Sequence, residues 1–218
     1  MKLAPLAVAL LSGGLGCATH AAVVPPPTGS SAASVERARG MVRALVDAQG
    51  IPGFSITVSN SGGIVWQEGF GLADVGAGQP VTSRTRFRVG SVSKLITATA
   101  LMRLAQTGRI DLDAPVSACL GGLPQELGAI TLRQLAGHLG GIRHYRGNEF
   151  LSTTHYARLQ DALVIFASDP LLAAPGTRYA YSSYGYNLLG AALGQRLHTP
   201  FPDLVRQTVL KPLGLTST

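Results

Sequence analysis

The chain has 218 residues, 46% hydrophobic and 13% charged, a balance that supports a globular domain with a real apolar core and excludes disorder throughout. Its net charge of +7 comes from 18 Lys+Arg over 11 Asp+Glu, but the arginines stand singly rather than in a stripe with aromatic neighbours, which argues against a nucleic-acid partner. Two cysteines, Cys17 and Cys119, supply no disulfide framework and match no metal-ligand spacing.

The first segment reads as an export signal. Met1-Lys2 is followed by an apolar run from Leu3 to Leu11 and then by small residues through Gly16, the order of a charged, an apolar and a small-residue region. The apolar run is shorter than the roughly 18 residues a spanning helix needs. Two processing routes compete. Cleavage after Ala21 leaves a soluble chain, whereas Leu15-Gly16-Cys17 resembles a bacterial lipoprotein signal, although Gly14 stands where Leu is usual. Lipidation of Cys17 would anchor the protein to a membrane. The expected product is thus exported, either periplasmic or secreted, or held as a lipoprotein. Residues 22–34, with Pro25-Pro26-Pro27 and a Gly/Ser/Ala run, have linker composition, and the folded domain is expected over 35–218.

Val35, Ala38, Met41, Val42, Leu45 and Val46 fall on one helical stripe, with Gly50 placed to stop the helix. Residues 54–58 alternate, Asn60-Ser61-Gly62-Gly63 is a turn and residues 64–70 continue extended, so a β-hairpin is predicted, with Trp66 packing from the sheet onto a helix. Thr85 to Val89 alternates again and predicts a short strand. From Ser91 to Gly108 the chain is apolar nearly all round, which predicts a buried helix. Beyond it come a turn at 112–115, a short helix at 131–138, a Gly-rich loop, a helix at about 156–167, the turn Ala174-Pro175-Gly176-Thr177, and two last helices at about 184–197 and 201–210. Strands first and helices after is α+β order.

Ser91-Val92-Ser93-Lys94 lies where the predicted strand gives way to the buried helix. Three residues apart on a helix, Ser91 and Lys94 share a face. A serine hydroxyl is a weak nucleophile until a neighbour takes its proton, and a lysine in a desolvated pocket can do so. The helix N-terminus can also stabilise charge developing on a carbonyl oxygen. Chance is a rival, since the chain holds 16 serines and three lysines, and so is the plain alternative of a capping serine beside a lysine that reaches for solvent. The cluster Tyr179, Tyr181, Tyr184 and Tyr186 would ordinarily be core or groove wall.

Taken together, Phe87-Arg88-Val89-Gly90-Ser91-Val92-Ser93-Lys94 and Tyr181-Ser182-Ser183 with Gly185-Tyr186-Asn187-Leu188-Leu189-Gly190 resemble the serine β-lactamase-like family. That family includes class C β-lactamases, D-alanyl-D-alanine peptidases, related esterases and the mitochondrial β-lactamase-like serine proteases. Leu112-Asp113-Ala114-Pro115-Val116, Ile130-Thr131-Leu132-Arg133-Gln134-Leu135 and His138-Leu139-Gly140-Gly141-Ile142-Arg143-His144-Tyr145 are similar to the mitochondrial branch. The resemblance implies a β-lactamase/transpeptidase-like fold, an antiparallel sheet flanked by helices, with a helical subdomain at about 112–180. It makes Ser91 the acylated nucleophile, Lys94 its base or proton relay, Tyr181 the second base and Ser183 a substrate contact. Ser183 stands where most of the family has Asn, a shorter side chain for a substrate amide, which favours a peptidase or esterase over a true β-lactamase.

The family works without metal or cofactor, so none is expected, and His138 and His144 are read as loop residues beside the site. Cys119 is read as a buried thiol. A third family motif, Lys- or His-Ser/Thr-Gly on a later strand, is not matched by His198-Thr199-Pro200, which reads as a turn between helices. The C-terminal strands are therefore expected to be missing from this chain. Two readings compete: an exported serine hydrolase acting through an acyl-enzyme on a peptide, amide or ester, or a truncated or non-catalytic scaffold without a complete site.

Overall fold

A computed structural model of the chain describes residues 30–218. The expected signal over 1–21, Cys17 included, and residues 22–29 of the expected linker lie outside the described residues. The chain divides into two compact units, one ending at Thr85 and the other spanning Arg86–Thr218.

In the first unit, α1 spans Ser30–Ala48, so the last residues of the segment expected as linker are helical. It is followed by the antiparallel hairpin β1 (Gly53–Asn60) and β2 (Gly63–Asp74), with a register irregularity at Val58/Ser59. A two-residue β3 (Gln79–Pro80) pairs with the far end of β2 and completes a sheet of order β1-β2-β3. Of the predicted α1 stripe, Val35, Ala38 and Val42 pack with Val46 onto Trp66 and Phe70, whereas Met41 and Leu45 remain exposed, so the buried face is narrower than expected. Arg39 fastens that contact by donating to Glu68 at 2.7 Å, and Glu68 also accepts from Trp66 Nε1 at 2.8 Å. These bonds hold the Glu68 carboxyl below its ordinary pKa although burial pushes the other way.

The expected strand over 85–89 does not form. Its residues pair with no strand among those described, and Phe87 and Val89 are exposed. Alternation defines two faces but does not supply the neighbour that a ladder needs, and Val89 has already left extended geometry (φ −89°, ψ 1°) to enter the turn that follows. Gly90 (φ +51°) takes the left-handed conformation that turn requires.

The second unit is built around two helices. The first, α2 (Ser93–Gln106), buries Thr97, Ala100, Leu101 and Leu104, a single i, i+3/i+4, i+7 stripe. The expected burial on all sides is corrected by Leu95 and Met102, which remain 70% and 56% exposed on the other face. Short helices α3 (Gln125–Gly128) and α4 (Leu132–Ala136) follow, the latter opened by a Thr131–Gln134 capping box. The helix expected at 156–167 is instead a tighter 3₁₀ run at Leu159–Ile165. Apolar positions 159, 162, 163 and 166 fit three or 3.6 residues per turn equally, so periodicity alone does not separate the two.

The second main helix, α5 (Ser183–Arg196), is the centre of this unit. Leu188 to Leu193 are all buried, and α5 is covered by α4, by the 159–165 run and by α6 (Phe201–Val205), which continues into one wider π turn over Arg206–Leu210. His198-Thr199-Pro200 is the expected connection between helices. Cys119 is buried, which pushes its thiol pKa up. Among the described residues no helix is long and apolar enough to cross a membrane.

Leu188 is fully buried at the middle of α5. Leu188→Ala should therefore cost about 2–5 kcal/mol, read as a lower denaturation midpoint at unchanged slope; a loss below about 1 kcal/mol would show that α5 does not organise this unit.

Candidate active site

Ser91 sits in a single 3₁₀ turn (Gly90–Val92) that runs directly into α2, and Lys94 lies in the first turn of α2. Neither start has a side-chain cap, so the capping-serine alternative is not what forms. Instead Lys94 Nζ donates to Ser91 Oγ at 3.2 Å and to Ser183 Oγ at 3.0 Å. From ninety residues on, Tyr181 Oη donates to the same Ser91 Oγ at 2.7 Å. Lys94 and Tyr181 thus meet at the Ser91 oxygen, and Ser183 joins the group through Lys94. Ser91 is exposed, Tyr181 is 37% exposed, Lys94 is half-buried and Ser183 is buried, so the group opens to solvent on the serine side.

Of the clustered tyrosines, two have structural duties. Tyr184 Oη donates to Glu149 at 2.8 Å and Tyr186 Oη to the Ala136 carbonyl at 3.0 Å. Burial and the adjacent Glu149 carboxylate push the Tyr184 phenol up to about 12, and burial also raises Tyr186. Tyr181 moves the other way: hydrogen bonding to Lys94 and then to Ser91 lowers its pKa, and the Lys94 ammonium lies 4.8 Å from its ring centre. Among the three, only Tyr181 is biased toward phenolate, the form that accepts a proton.

Tyr181 is held by the segment that follows it. Ser182 is extended (φ −143°, ψ 123°) and caps α5, its Oγ accepting from Gly185 N–H at 2.9 Å. The same hydroxyl donates to the Arg143 carbonyl at 2.7 Å. Loop 138–149 is thereby tied to the start of α5. Gly141 is required within that loop, because it is left-handed (φ +71°) and a Cβ there would lie 2.2 Å from the Ala173 carbonyl oxygen.

Sequence reasoning missed the charge network beneath this loop. Arg143, 6% exposed, donates to both oxygens of Glu149, to Asp169, and to the carbonyls of His144 and Ile165. Its guanidinium also lies 5.1 Å from the Tyr184 ring centre. The only sequence signal was an arginine inside an apolar stretch, Gly141-Ile142-Arg143. His138 and His144 both flank Tyr181, at ring-to-ring distances of 4.5 and 5.2 Å. No cluster of three or more metal-ligating side chains occurs among the described residues.

A serine whose oxygen meets a lysine at i+3 and a distant tyrosine, on an α+β frame, defines a serine hydrolase class of β-lactamase/transpeptidase-like fold. The family described as Beta-lactamase matches residues 38–218, and the chain belongs to that family of serine hydrolases. It is 27% identical over 263 residues to the Homo sapiens serine beta-lactamase-like protein LACTB, mitochondrial, covering 89% of this chain and 48% of that protein. A solved structure of EstCE1, described as a hydrolase with promiscuous acyltransferase activity, superposes with a TM-score of 0.73 at 26% identity, over 85% of this chain and 52% of that one. The octameric penicillin-binding protein homologue from Pyrococcus abyssi shares the fold, with a TM-score of 0.74 at 24% identity over 84% and 43%. The chain spans about half the length of the human relative it matches.

The Glu149 carboxyl is held down to about 2, first by Arg143, then by the Arg146 N–H, with the Tyr184 hydroxyl adding to the effect. A carboxyl lowered on folding adds stability above its unfolded value near 4.5, and that stability is lost as pH falls toward 2. Glu149→Gln should lower the neutral-pH melting temperature and flatten its decline between about pH 4.5 and 2.5; parallel melting curves for the two proteins would contradict this role.

Proposed function

We propose that the protein is an exported serine hydrolase that opens peptide, amide or ester bonds through an acyl-enzyme on Ser91. One observation carries the reading: a single serine oxygen accepts hydrogen bonds from both Lys94 and Tyr181. Structural serines have no need of two such partners, whereas a nucleophile needs neighbours able to take and return its proton.

In the proposed cycle the Ser91 proton passes to Tyr181 as phenolate, or to Lys94 as amine, while Oγ bonds to the substrate carbonyl carbon. The tetrahedral adduct collapses when Tyr181 protonates the leaving nitrogen or oxygen, leaving the acyl group on Ser91. A water deprotonated by Tyr181 then attacks the ester, and Ser91 regains its proton as the acid departs. Lys94 also lowers the cost of the Tyr181 phenolate by proximity. Ser183, already bonded to Lys94, links the lysine to the substrate side of the site. Its short hydroxyl supports a peptide or ester more than a β-lactam. EstCE1 is described as a hydrolase with promiscuous acyltransferase activity, which is consistent with an acyl-enzyme scheme. Export rests on the pattern of residues 1–21, and lipidation of Cys17 would add membrane anchoring.

Reaction with a fluorophosphonate, followed by peptide mapping, should place one phosphonyl group on Ser91, and Ser91→Ala should abolish labelling at little cost in stability. Label on Ser93 or Ser183 would overturn the assignment of Ser91, and label nowhere would favour a non-catalytic scaffold.

Lys94→Arg should slow labelling nearly as much as Lys94→Ala, because guanidinium keeps its proton. Rapid labelling of the arginine variant would show that position 94 supplies only fixed charge.

A further inference from the structure

We propose that His138 and His144 are positioning residues for Tyr181: both imidazoles, neutral and protonated at Nε2, hold the Tyr181–Ser183 backbone through Nδ1, so that acid frees the tyrosine from Ser91. The inference rests on the reading of Tyr181 as the base, and adds a residue pair and a pH response to it.

The hydrogen bonds set the tautomers. Ser182 N–H donates to His138 Nδ1 at 3.2 Å, and Ser183 N–H donates to His144 Nδ1 at 3.3 Å. A ring nitrogen that accepts from an amide carries a lone pair, so in the neutral ring the proton sits on Nε2. Protonation of either ring would aim N–H at N–H and break the contact. His138 grips the segment twice, since its carbonyl also accepts from Ala180 N–H at 2.8 Å. In extended chain the N–H groups two residues apart point the same way, so one histidine takes those of 180 and 182 and Tyr181 is fixed between them. His144 takes the next N–H, at the first residue of α5.

Two further observations point to function. His138 is left-handed, with φ +58°, a conformation non-glycine residues hold only when surroundings impose it and one that clusters at functional sites. Both rings also touch Tyr181, His138 at a tilt of 38° and His144 edge-on at 88°.

The charged and titratable neighbours favour neutral rings. From α2, Lys94 faces both. Tyr179 and Tyr181 on the approach to α5 and Tyr186 within it surround His138, while Tyr145 and Tyr181 face His144. The nearby carboxylates Glu149 and Asp169 are committed to Arg143, and no carboxylate pairs with either imidazole among the described residues. Burial first, and Lys94 second, lower both histidines from 6.5, and His144 adds to the lowering of His138.

The test joins a spectroscopic and a kinetic measurement. Two-bond ¹H–¹⁵N spectra at pH 7.5 should show His138 and His144 as Nε2–H tautomers. On acidification both should titrate with midpoints below 6.5, and the amide signals of Ser182 and Ser183 should shift with those midpoints. Fluorophosphonate labelling of Ser91 should lose rate over the same range. His138→Leu or His144→Leu should slow labelling by about tenfold or more at pH 7.5. Asparagine, whose Oδ1 can accept in place of Nδ1 and which tolerates the left-handed backbone at 138, should restore most of that rate and remove the part of the acid loss that follows the imidazole midpoints. An Nδ1–H or charged ring at pH 7.5, amide signals that ignore the imidazole titration, or an acid limb unchanged in the double asparagine variant would each overturn the proposal. Absence of Ser91 labelling at every pH would instead refute the hydrolase reading, while the tautomers and amide shifts would still decide whether the clamp exists.

Discussion

Two donors converge on one oxygen at Ser91, and they come from very different distances along the chain. Lys94 reaches it through one turn of helix, a geometry that α2 imposes at no further cost. Tyr181 is ninety residues away and must be held at 2.7 Å by tertiary structure alone. Displacement of about 1 Å at such a contact is enough to cost two orders of magnitude in rate. The second unit is best understood as the apparatus for that one placement. Its most buried helix, α5, begins two residues after Tyr181, and the Ser182 cap fixes the angle at which the chain enters it.

The loop at 138–149 completes the constraint, and its anchor is a buried charge. Isolating a guanidinium from water is unfavourable unless every donor finds a partner. Arg143 meets that condition with two carboxylates and two backbone carbonyls, while its own carbonyl receives the Ser182 hydroxyl. Glu149 extends the network to Tyr184 on α5. Because all partners are engaged at once, the loop has one well-defined position relative to the helix start. The arrangement contributes specificity of geometry, and it makes that geometry sensitive to loss of any single member.

Much of this was legible in the sequence, for physical reasons that can be named. The hairpin around Gly62-Gly63 and the long α5 each combine a period with a stop or start signal, so local pattern and tertiary outcome agree, and of the α1 stripe Val35, Ala38, Val42 and Val46 pack while Met41 and Leu45 stay exposed. Ser91 and Lys94 stood out because a nucleophile and its base at i and i+3 share one helix face, whereas Tyr181 and Ser183 were singled out only through the resemblance to the serine β-lactamase-like family. The misses have a common cause in that they depend on neighbours rather than on period. Residues 85–89 alternate but have no paired strand, α2 is apolar all round yet covered on one side, and 159–165 carries spacing compatible with two kinds of helix. The Arg143 network and the histidine contacts to the 182 and 183 amides involve side chains brought together by loops, where no periodic signal exists.

The central claim is that Tyr181 takes the proton from Ser91, while Lys94 both stabilises its phenolate and passes protons on within the site. The most direct measurement is the second-order rate of Ser91 phosphonylation as a function of pH, compared between the protein and Tyr181→Phe, which keeps the ring and removes only the hydroxyl. The account predicts modification at Ser91 in both, slower by about 10²- to 10⁴-fold in the phenylalanine variant, with a rise in rate for the parent at a pH below the ordinary tyrosine value near 10. Equal rates in the two proteins would contradict it, and would leave Lys94 as the group that activates the serine.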